Sequence, residues 1–410
     1  RRQRQMCIRD SSTMPPTATD PTAIAVDEIK VSANPWLFLV GQPIEIETTL
    51  VRPRITLKQD KDGQWTTFEL PKGEGKFELP VDIDVTVNLQ EAQISVLPYG
   101  APRPLEVEAD GRVSYQYLRQ NDSQTVGYDL DIALEASQIT AKGETNITTG
   151  ESETAIQIDR LNLPQLASLF PKSPVTIQGG TLEGDVKASL PGWQQVEALQ
   201  TLGQLELSQL QARIDQVKDP LKADFKLNLA GQKLIIERGQ LALGPLRTDV
   251  QGAIDWKEGY NLTLKTNAVE AKALTNTVNV KLPVKVDGKV KAQLQVRGPL
   301  ANPQIQGRLE NVGTVTVDRV VMEGFRTDFR ADLDKFTVQQ LRVQPQTGGN
   351  IQGKAQANWK LRDLLTPAKA KTWRWQIIPV QAQLTGAIAT MPLLAAYNLC
   401  LLYTSPSPRD

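Results

Sequence analysis

Apolar and polar residues alternate along much of the chain from about residue 81 onward. Between Val81 and Leu89, every odd-numbered residue is apolar and every even-numbered residue is polar. The same alternation returns over residues 221–229 and again over residues 290–296. Because successive side chains of a β-strand point to opposite faces, each segment is predicted to be a half-buried strand. One-sided alternation favours antiparallel sheets with one face in water, since strands of a parallel α/β sheet are apolar on both faces.

Glycine residues punctuate the alternating segments at short intervals, as at residues 179, 180, 184, 203, 239, 244 and 252. Such spacing predicts many short strands joined by tight turns, and therefore an all-β fold. Helical patterns are scarce. Short helices are predicted over residues 165–170, 194–202 and 361–370, and none of them is long enough to organise a fold.

The composition argues against most kinds of catalysis. The 410 residues include 46 basic and 46 acidic side chains but no histidine. Histidine is the commonest general base and the commonest ligand for zinc, copper and iron. We therefore predict that the protein is not an enzyme, has no catalytic residue and needs no metal or other cofactor. The balanced charge also offers no basic surface for nucleic acid.

Both ends of the chain lack the alternation seen between them. Residues 1–11 and 400–410 resemble translated read-through of sequencing adapters, so both are expected to be artefactual tails that pair with no strand. Two disordered native tails are the alternative. Cys7 and Cys400 are the only cysteines and lie in these ends, which leaves no disulfide for the body of the chain. The best membrane candidate, residues 387–403, is interrupted by Pro392 and Asn398.

Three local motifs suggest chemistry, and each has a simpler interpretation. Residues 60–63 begin like a calcium loop, but their glycine comes fourth rather than sixth, which favours an Asp-Gly hairpin turn between residues 55–57 and 65–68. Residues 73–75 resemble the start of a phosphate-binding loop, yet no helix pattern follows. Asp82 and Asp84 lie on the polar side of a predicted strand, where solvated carboxylates are normal.

Three stretches resemble the TamB and AsmA-like family. Residues 52–65, RPRITLKQDKDGQW, combine a proline, an alternating strand, an acidic glycine turn and a tryptophan, and residues 296–309, VRGPLANPQIQGRL, are similar to the recurrent unit of TamB-type proteins. A looser match joins LNLPQLASL at residues 161–169 to GTLEG at residues 180–184. The glutamine- and proline-rich style suggests the cyanobacterial branch or its plastid counterparts.

The resemblance implies an elongated, strongly curved antiparallel sheet that forms an open apolar groove, known as a β-taco. It implies an AsmA-like N-terminal β region over residues 25–97 and a repeating β-groove segment over residues 98–384. The groove would shield and conduct phospholipid, or assist the translocation and assembly of unfolded outer-membrane precursors with an outer-membrane barrel protein of the BamA or TamA type. The full-length protein would lie in the periplasm, anchored in the inner membrane, or in a plastid envelope. Membrane contact would come from regions missing from this fragment, an N-terminal signal-anchor helix and a C-terminal domain.

Apolar residues of the alternating segments are the predicted lining of that groove, in contact with lipid or precursor. They are Val81, Ile83, Val85, Val87, Leu89, Phe225, Leu227, Leu229, Val290, Leu294 and Val296. The same residues also suit an ordinary closed core, because alternation identifies the apolar face but not what covers it.

Two other classes of function remain open. A secreted structural or adhesive β-solenoid is the second hypothesis, and a carbohydrate-active β-helix enzyme is the third. A β-helix should show a steady coil period with stacked asparagine or glycine, whereas the spacing here is irregular. The enzyme should also bring clustered carboxylates with aromatic platforms, and the sequence concentrates neither.

Overall fold

The computed structural model describes residues 5–8, 24–34, 36–37, 41–65, 81–167, 169–170, 173, 175–214, 217–277, 285–318, 320–365 and 380–387. Within these ranges β-strands dominate and the helices are short, so the predicted all-β fold is confirmed. The chain divides into two compact units, Arg1–Gln211 with Asp224–Glu237, and Ala212–Ala223 with Arg238–Asp410. The paired strands described in each unit form an open sheet rather than a closed barrel.

The first unit contains eleven complete strands and one α-helix among its described residues. They are β1 (Gln5–Ile8), β2 (Ile24–Ala25), β3 (Glu28–Asn34), β4 (Ile44–Val51), β5 (Arg54–Lys58), β6 (Ile83–Leu97), β7 (Leu105–Leu118), β8 (Ser123–Leu134), β9 (Ser137–Asn146), β10 (Ser152–Asn162), α1 (Leu163–Ala167) and β11 (Val175–Leu190). From β6 to β11, each strand pairs with the next one in antiparallel register.

Two pairings in the first unit are parallel, which departs from the antiparallel expectation. Strand β4 runs parallel to the first half of β6, and β5 runs parallel to its second half. The fully buried Pro53 separates β4 from β5, where its missing N–H ends one strand. Lys58, where β5 ends, pairs with Leu97 at the end of β6, so Ile83 at the start of β6 lies at the opposite end of the strands.

The second unit repeats the antiparallel pattern. Three strands contribute residues to both units: β12 (Gln200–Ile214), β13 (Leu221–Gly231) and β14 (Lys233–Leu243). The elements wholly within the second unit are β15 (Leu246–Asp255), β16 (Gly259–Thr266), β17 (Val269–Glu270), α2 (Ala271–Thr277), β18 (Val286–Gly298), β19 (Gln304–Val317), β20 (Val320–Ala331), β21 (Phe336–Pro345), β22 (Asn350–Ala357) and β23 (Val380–Ala387). Strands β16 and β17 both pair with β18, and every later strand pairs with its neighbour in the chain.

The alternating segments all form strands, but the strands are longer than expected. Residues 81–89, 221–229 and 290–296 fall largely or wholly in β6, β13 and β18, and β11 reaches 16 residues. The expectation of many short strands was wrong because several glycines lie inside strands rather than in turns. A Cβ at Gly111 would lie 2.1 Å from the backbone oxygen of Asp129, and one at Gly252 would lie 2.2 Å from that of Asn261. These glycines permit close approach of neighbouring strands.

The helix predictions were only partly accurate. Helix α1 begins two residues before the predicted segment 165–170 and ends three residues before it does. The predicted helix over 194–202 is a 3₁₀ turn at Trp193–Ala198, and β12 begins at Gln200. The prediction over 361–370 corresponds to a 3₁₀ turn at Leu361–Leu365, with its remainder outside the described residues. Helix α2 was not predicted.

The Asp-Gly turn is confirmed at its base. Gln59 and Trp65 form an antiparallel bridge, and a carboxylate oxygen of Asp60 accepts hydrogen bonds from the N–H groups of Asp62 and Gln64, each at 2.9 Å. The Asp60 carboxylate therefore shapes the turn, as asparagine and aspartate commonly do. The rest of the predicted second strand, residues 66–68, and the segment 73–75 lie outside the described residues.

The prediction that residues 1–11 pair with no strand was wrong for four of them. Strand β1 (Gln5–Ile8) pairs with residues 29–32 of β3 in antiparallel register. An exposed edge strand offers unpaired N–H and carbonyl groups to any extended segment, whatever its sequence. Residues 387–403 lie almost entirely, and residues 400–410 entirely, outside the described ranges. The adapter origin of both ends stays a prediction.

Candidate functional site

The candidate site is the apolar face of the sheet, which the strand register assembles from alternate residues. In the first unit, Val87 of β6 lies beside Val113 of β7, which lies beside Tyr128 of β8. We define the apolar face of this unit by Ile83, Val85, Val87, Leu89, Val113, Tyr115, Tyr128, Leu130, Ile156 and Val186. Paired residues of neighbouring strands project to the same face, so these side chains form continuous rows across the sheet.

The second unit builds an equivalent face by the same rule. Leu294 of β18 lies beside Gly307 of β19, which lies beside Phe329 of β20. The apolar face of this unit consists of Leu262, Leu264, Val290, Leu294, Val296, Ile305, Leu309, Phe329, Phe336 and Val338. At its aromatic end, the ring of Phe336 lies 5.3 Å from that of Phe329 and 5.2 Å from that of Trp359.

Most large side chains on these faces are only partly covered. Of the eleven residues predicted to line a groove, nine are half-buried, while Leu229 and Val290 are 8% and 7% exposed. Eighteen hydrophobic residues of the described ranges are buried, and six of those are alanines. Flanking strands can bury an alanine, whereas a leucine or phenylalanine needs a covering layer. Much of the apolar face therefore lacks such a layer, and its role as a groove lining stays a prediction.

The opposite face of the first unit is charged and solvated. Lys142 and Asp129 form an ion pair at 3.0 Å with side chains 71% and 48% exposed. On the same face, the Asn88 amide donates to a Glu47 carboxylate oxygen at 2.9 Å. Exposed pairs of this kind contribute little to stability. These charged side chains make one face of the sheet polar, whereas the other face is apolar.

The second unit carries a ladder of charges on its polar face. Glu310 lies between Lys291 and Arg326, with nitrogen-to-oxygen distances of 3.2 Å to each. Hydrogen bonds from Arg326 and Lys291 lower the pKa of the Glu310 carboxyl below its ordinary value. In the next row, a 2.8 Å hydrogen bond to Asp328 raises the pKa of Arg308 above its ordinary value. Each of these shifts favours the charged form of its group, as expected for opposite charges in hydrogen-bond contact.

The apolar residues change from odd to even positions within two of the strands. A β-bulge at each change keeps these residues on the same face of the sheet. Glu91 of β6 and Gln209 of β12 have positive φ angles of 51° and 54°. The N–H of Glu91 donates to Asp110 and that of Gln209 donates to Asp224, each at 2.7 Å. In β6 the extra residue at the bulge restores the face, so that Ala92 is buried on the same side as Leu89. The sequence alone gave no indication of these aspartates.

Helix α2 covers one end of the apolar face in the second unit. Val269, Ala271, Val290 and Val315 form a buried cluster, and Leu274 of the helix packs against it. In the first unit, Leu163 of α1 approaches the apolar face at Gly180, where an added Cβ would lie 3.2 Å from its side chain. Helix α2 therefore covers apolar surface that would otherwise be exposed, and α1 lies against the corresponding face of the first unit.

Several acidic side chains of the first unit gather around one depression of the surface. An open depression of about 600 Å³ is bordered by Asp159, Glu183, Asp185, Glu206 and Lys226, and these charges lie on the polar face. Asp82 accepts a hydrogen bond from the N–H of Arg119 at 2.8 Å, which is a structural role. Within the described ranges, no group of three or more acidic or cysteine side chains is placed to hold a metal ion.

Every helix within the described ranges is too short or too polar to cross a bilayer. No known protein family, curated protein or solved structure matches this chain. The resemblance to the TamB and AsmA-like family therefore stays a prediction, and the candidate site is argued from its geometry.

Proposed function

We propose that the apolar sheet face shields the acyl chains of phospholipids, and that the chain is a fragment of an envelope protein that conducts lipid. The observation that carries this proposal is the partial exposure of large apolar side chains along one face of many consecutive strands. A contiguous apolar surface of this kind marks an interaction site in a soluble domain. Each acyl methylene removed from water on such a face gains about 0.8 kcal/mol.

The form of the face suits a sliding ligand better than a fixed one. Its rows combine valine, leucine, isoleucine and phenylalanine with few polar groups, so no single position would hold a lipid headgroup tightly. The charged opposite face would remain in water while the acyl chain of a lipid moves along the apolar face. An unfolded outer-membrane precursor, with its alternating apolar strands, is the second ligand that this surface suits, and a barrel protein would then receive it.

Photo-crosslinking tests the lipid hypothesis with matched neighbours on three strands. A photoreactive amino acid at Val85, Leu227 or Leu294 should capture phospholipid from vesicles of phosphatidylethanolamine and phosphatidylglycerol. The same group at Asp84, Lys226 or Gln293 provides the control, because these residues lie next to the first three but face the other side. Equal labelling of both faces would refute the proposal. Absence of labelling at all six positions would favour a structural or adhesive protein.

A further inference from the structure

The apolar face of the second unit is covered at one end of β18 and open at the other. At the covered end, Val290 is 7% exposed beneath α2. Four and six residues farther along the same face, Leu294 and Val296 remain half-buried. Helix α2 therefore occupies apolar surface that continues the face proposed to carry lipid. A lipid chain and the helix would compete for the surface around Val290.

The same arrangement occurs 108 residues earlier in the chain. Leu161 pairs with Leu182 in the first unit, and Val269 pairs with Val290 in the second, so both partners are shifted by 108. A helix follows each pair's first strand, α1 at Leu163 and α2 at Ala271. Gly180 and Gly288 share positive φ angles of 126° and 125°. The helix on the apolar face is thus a repeated feature of the fold.

Each helix is fastened to a neighbouring loop by a side-chain hydrogen bond. The Thr277 hydroxyl at the end of α2 donates to Asp219 at 2.8 Å, and the Lys218 N–H donates to the Thr277 carbonyl at 2.9 Å. A Cβ at Gly244 would lie 2.5 Å from the Asp219 carboxylate, so the glycine leaves room for this contact. In the first unit, the Gln165 amide of α1 donates to Glu135 in the turn between β8 and β9.

We propose that α2 is a displaceable lid, fastened by Thr277 and Asp219, that closes one end of the lipid-carrying face. This inference rests on the proposed function. A seven-residue helix is too short to be stable by itself and depends on its contacts with the sheet. Release of the lid would extend the open strip of β18 from Leu294 to Val290. Elements that move in binding are drawn from such weakly held segments.

Cysteine labelling measures the lid without any lipid. The full chain would carry Cys7→Ser and Cys400→Ser together with either V290C or L294C, and reaction with a maleimide would be timed. We expect V290C to react at least about tenfold more slowly than L294C. T277V should raise the V290C rate about fivefold, the factor expected when one hydrogen bond is lost from the closed state. T275V is the matched control, because the Thr275 hydroxyl donates to Lys272 within the same helix.

Equal maleimide rates for V290C and L294C in the protein with Thr277 intact would overturn the lid proposal. Equal effects of T277V and T275V on the V290C rate would also overturn it. A second arm uses photo-crosslinkers at Val290 and Leu294 with the phosphatidylethanolamine and phosphatidylglycerol vesicles. Labelling by lipid at Leu294, and at Val290 only in T277V, would support the lid. Equal labelling of both positions with Thr277 intact would overturn it. If lipid is crosslinked at neither position, the proposed function fails and the lipid role of the lid fails with it. The rates of the maleimide reaction still decide whether α2 opens.

Discussion

Replacing Asn311 by alanine should destabilise the second unit by about 2–3 kcal/mol. Asn311 lies where the pairing of β19 with β20 is interrupted between the Glu310–Arg326 and Val315–Met322 pairs. Its amide nitrogen donates to the carbonyls of Gly313 and Glu323, and its oxygen accepts from the N–H of Phe325 at 2.8 Å. One side chain thus replaces the strand pairing that the irregularity removes. Each of these three hydrogen bonds contributes on the order of 1 kcal/mol net.

Equilibrium unfolding in urea, followed by tryptophan fluorescence, measures the effect. Trp359, one of seven tryptophans, packs against Phe336 on β21 and contributes a signal from this part of the second unit. Asn311→Ala should lower the urea midpoint, whereas Asn261→Ala, at an exposed position on β16, should stay within about 0.5 kcal/mol of the parent protein. Asn311→Asp should be at least as destabilising as Asn311→Ala, because its second carboxylate oxygen would face the carbonyls of Gly313 and Glu323. An Asn311→Ala protein as stable as Asn261→Ala would refute the bridging role.

Two further predictions concern charge and backbone geometry. Arg326 and Lys291 lower the pKa of Glu310, so its contribution to stability is complete above the ordinary glutamate value and is lost as the pH falls through the lowered folded value. Glu310→Gln should therefore flatten the acid side of a plot of urea midpoint against pH, and an unchanged slope would contradict this reasoning. Gly150 and Gly313 have similar φ angles of 80° and 76°, but a Cβ at Gly150 would lie 2.3 Å from the Trp193 nitrogen, while one at Gly313 meets nothing within 4 Å. Gly150→Ala should lower the free energy of unfolding more than Gly313→Ala does. Gly313→Ala should lose only about 1–2 kcal/mol, because alanine is strained in the left-handed region. Equal losses in the same urea assay would argue against the clash at Gly150.

Alternation was sufficient to predict the strands that build the apolar face. Residues 221–229 and 290–296 lie within β13 and β18, and their apolar residues occupy the less exposed side. This signal is strong because a strand with one wet face fixes the character of every second residue. The turn at Asp60 could also be predicted from the sequence, because its hydrogen bonds join only a few adjacent residues.

Features that depend on distant partners could not be predicted in this way. The parallel pairing of β4 and β5 with β6 depends on how a long connection returns, and local sequence does not encode that path. The bulge at Glu91 requires Asp110 from the next strand. Helix α2 has seven residues, and its contacts come from Val290 and Val315 rather than from its own periodicity. Single sequences reveal local preference, whereas these elements are stabilised by tertiary contacts.

The shift of 108 residues between the two helix-bearing segments has a consequence for how such a chain can change in length. Removing residues 153–260 as one block would join Ser152 directly to Asn261. Because 108 is an even number, the side chains of the remaining strands would stay on the same faces of the sheet. Strand β10 would be replaced by β16 and β17, which pair with β18 in the register that β10 uses with β11. Whole repeats could therefore be gained or lost by recombination while every remaining side chain keeps its face. Stability would then change by the intrinsic term of the repeat and by its interfaces with its neighbours.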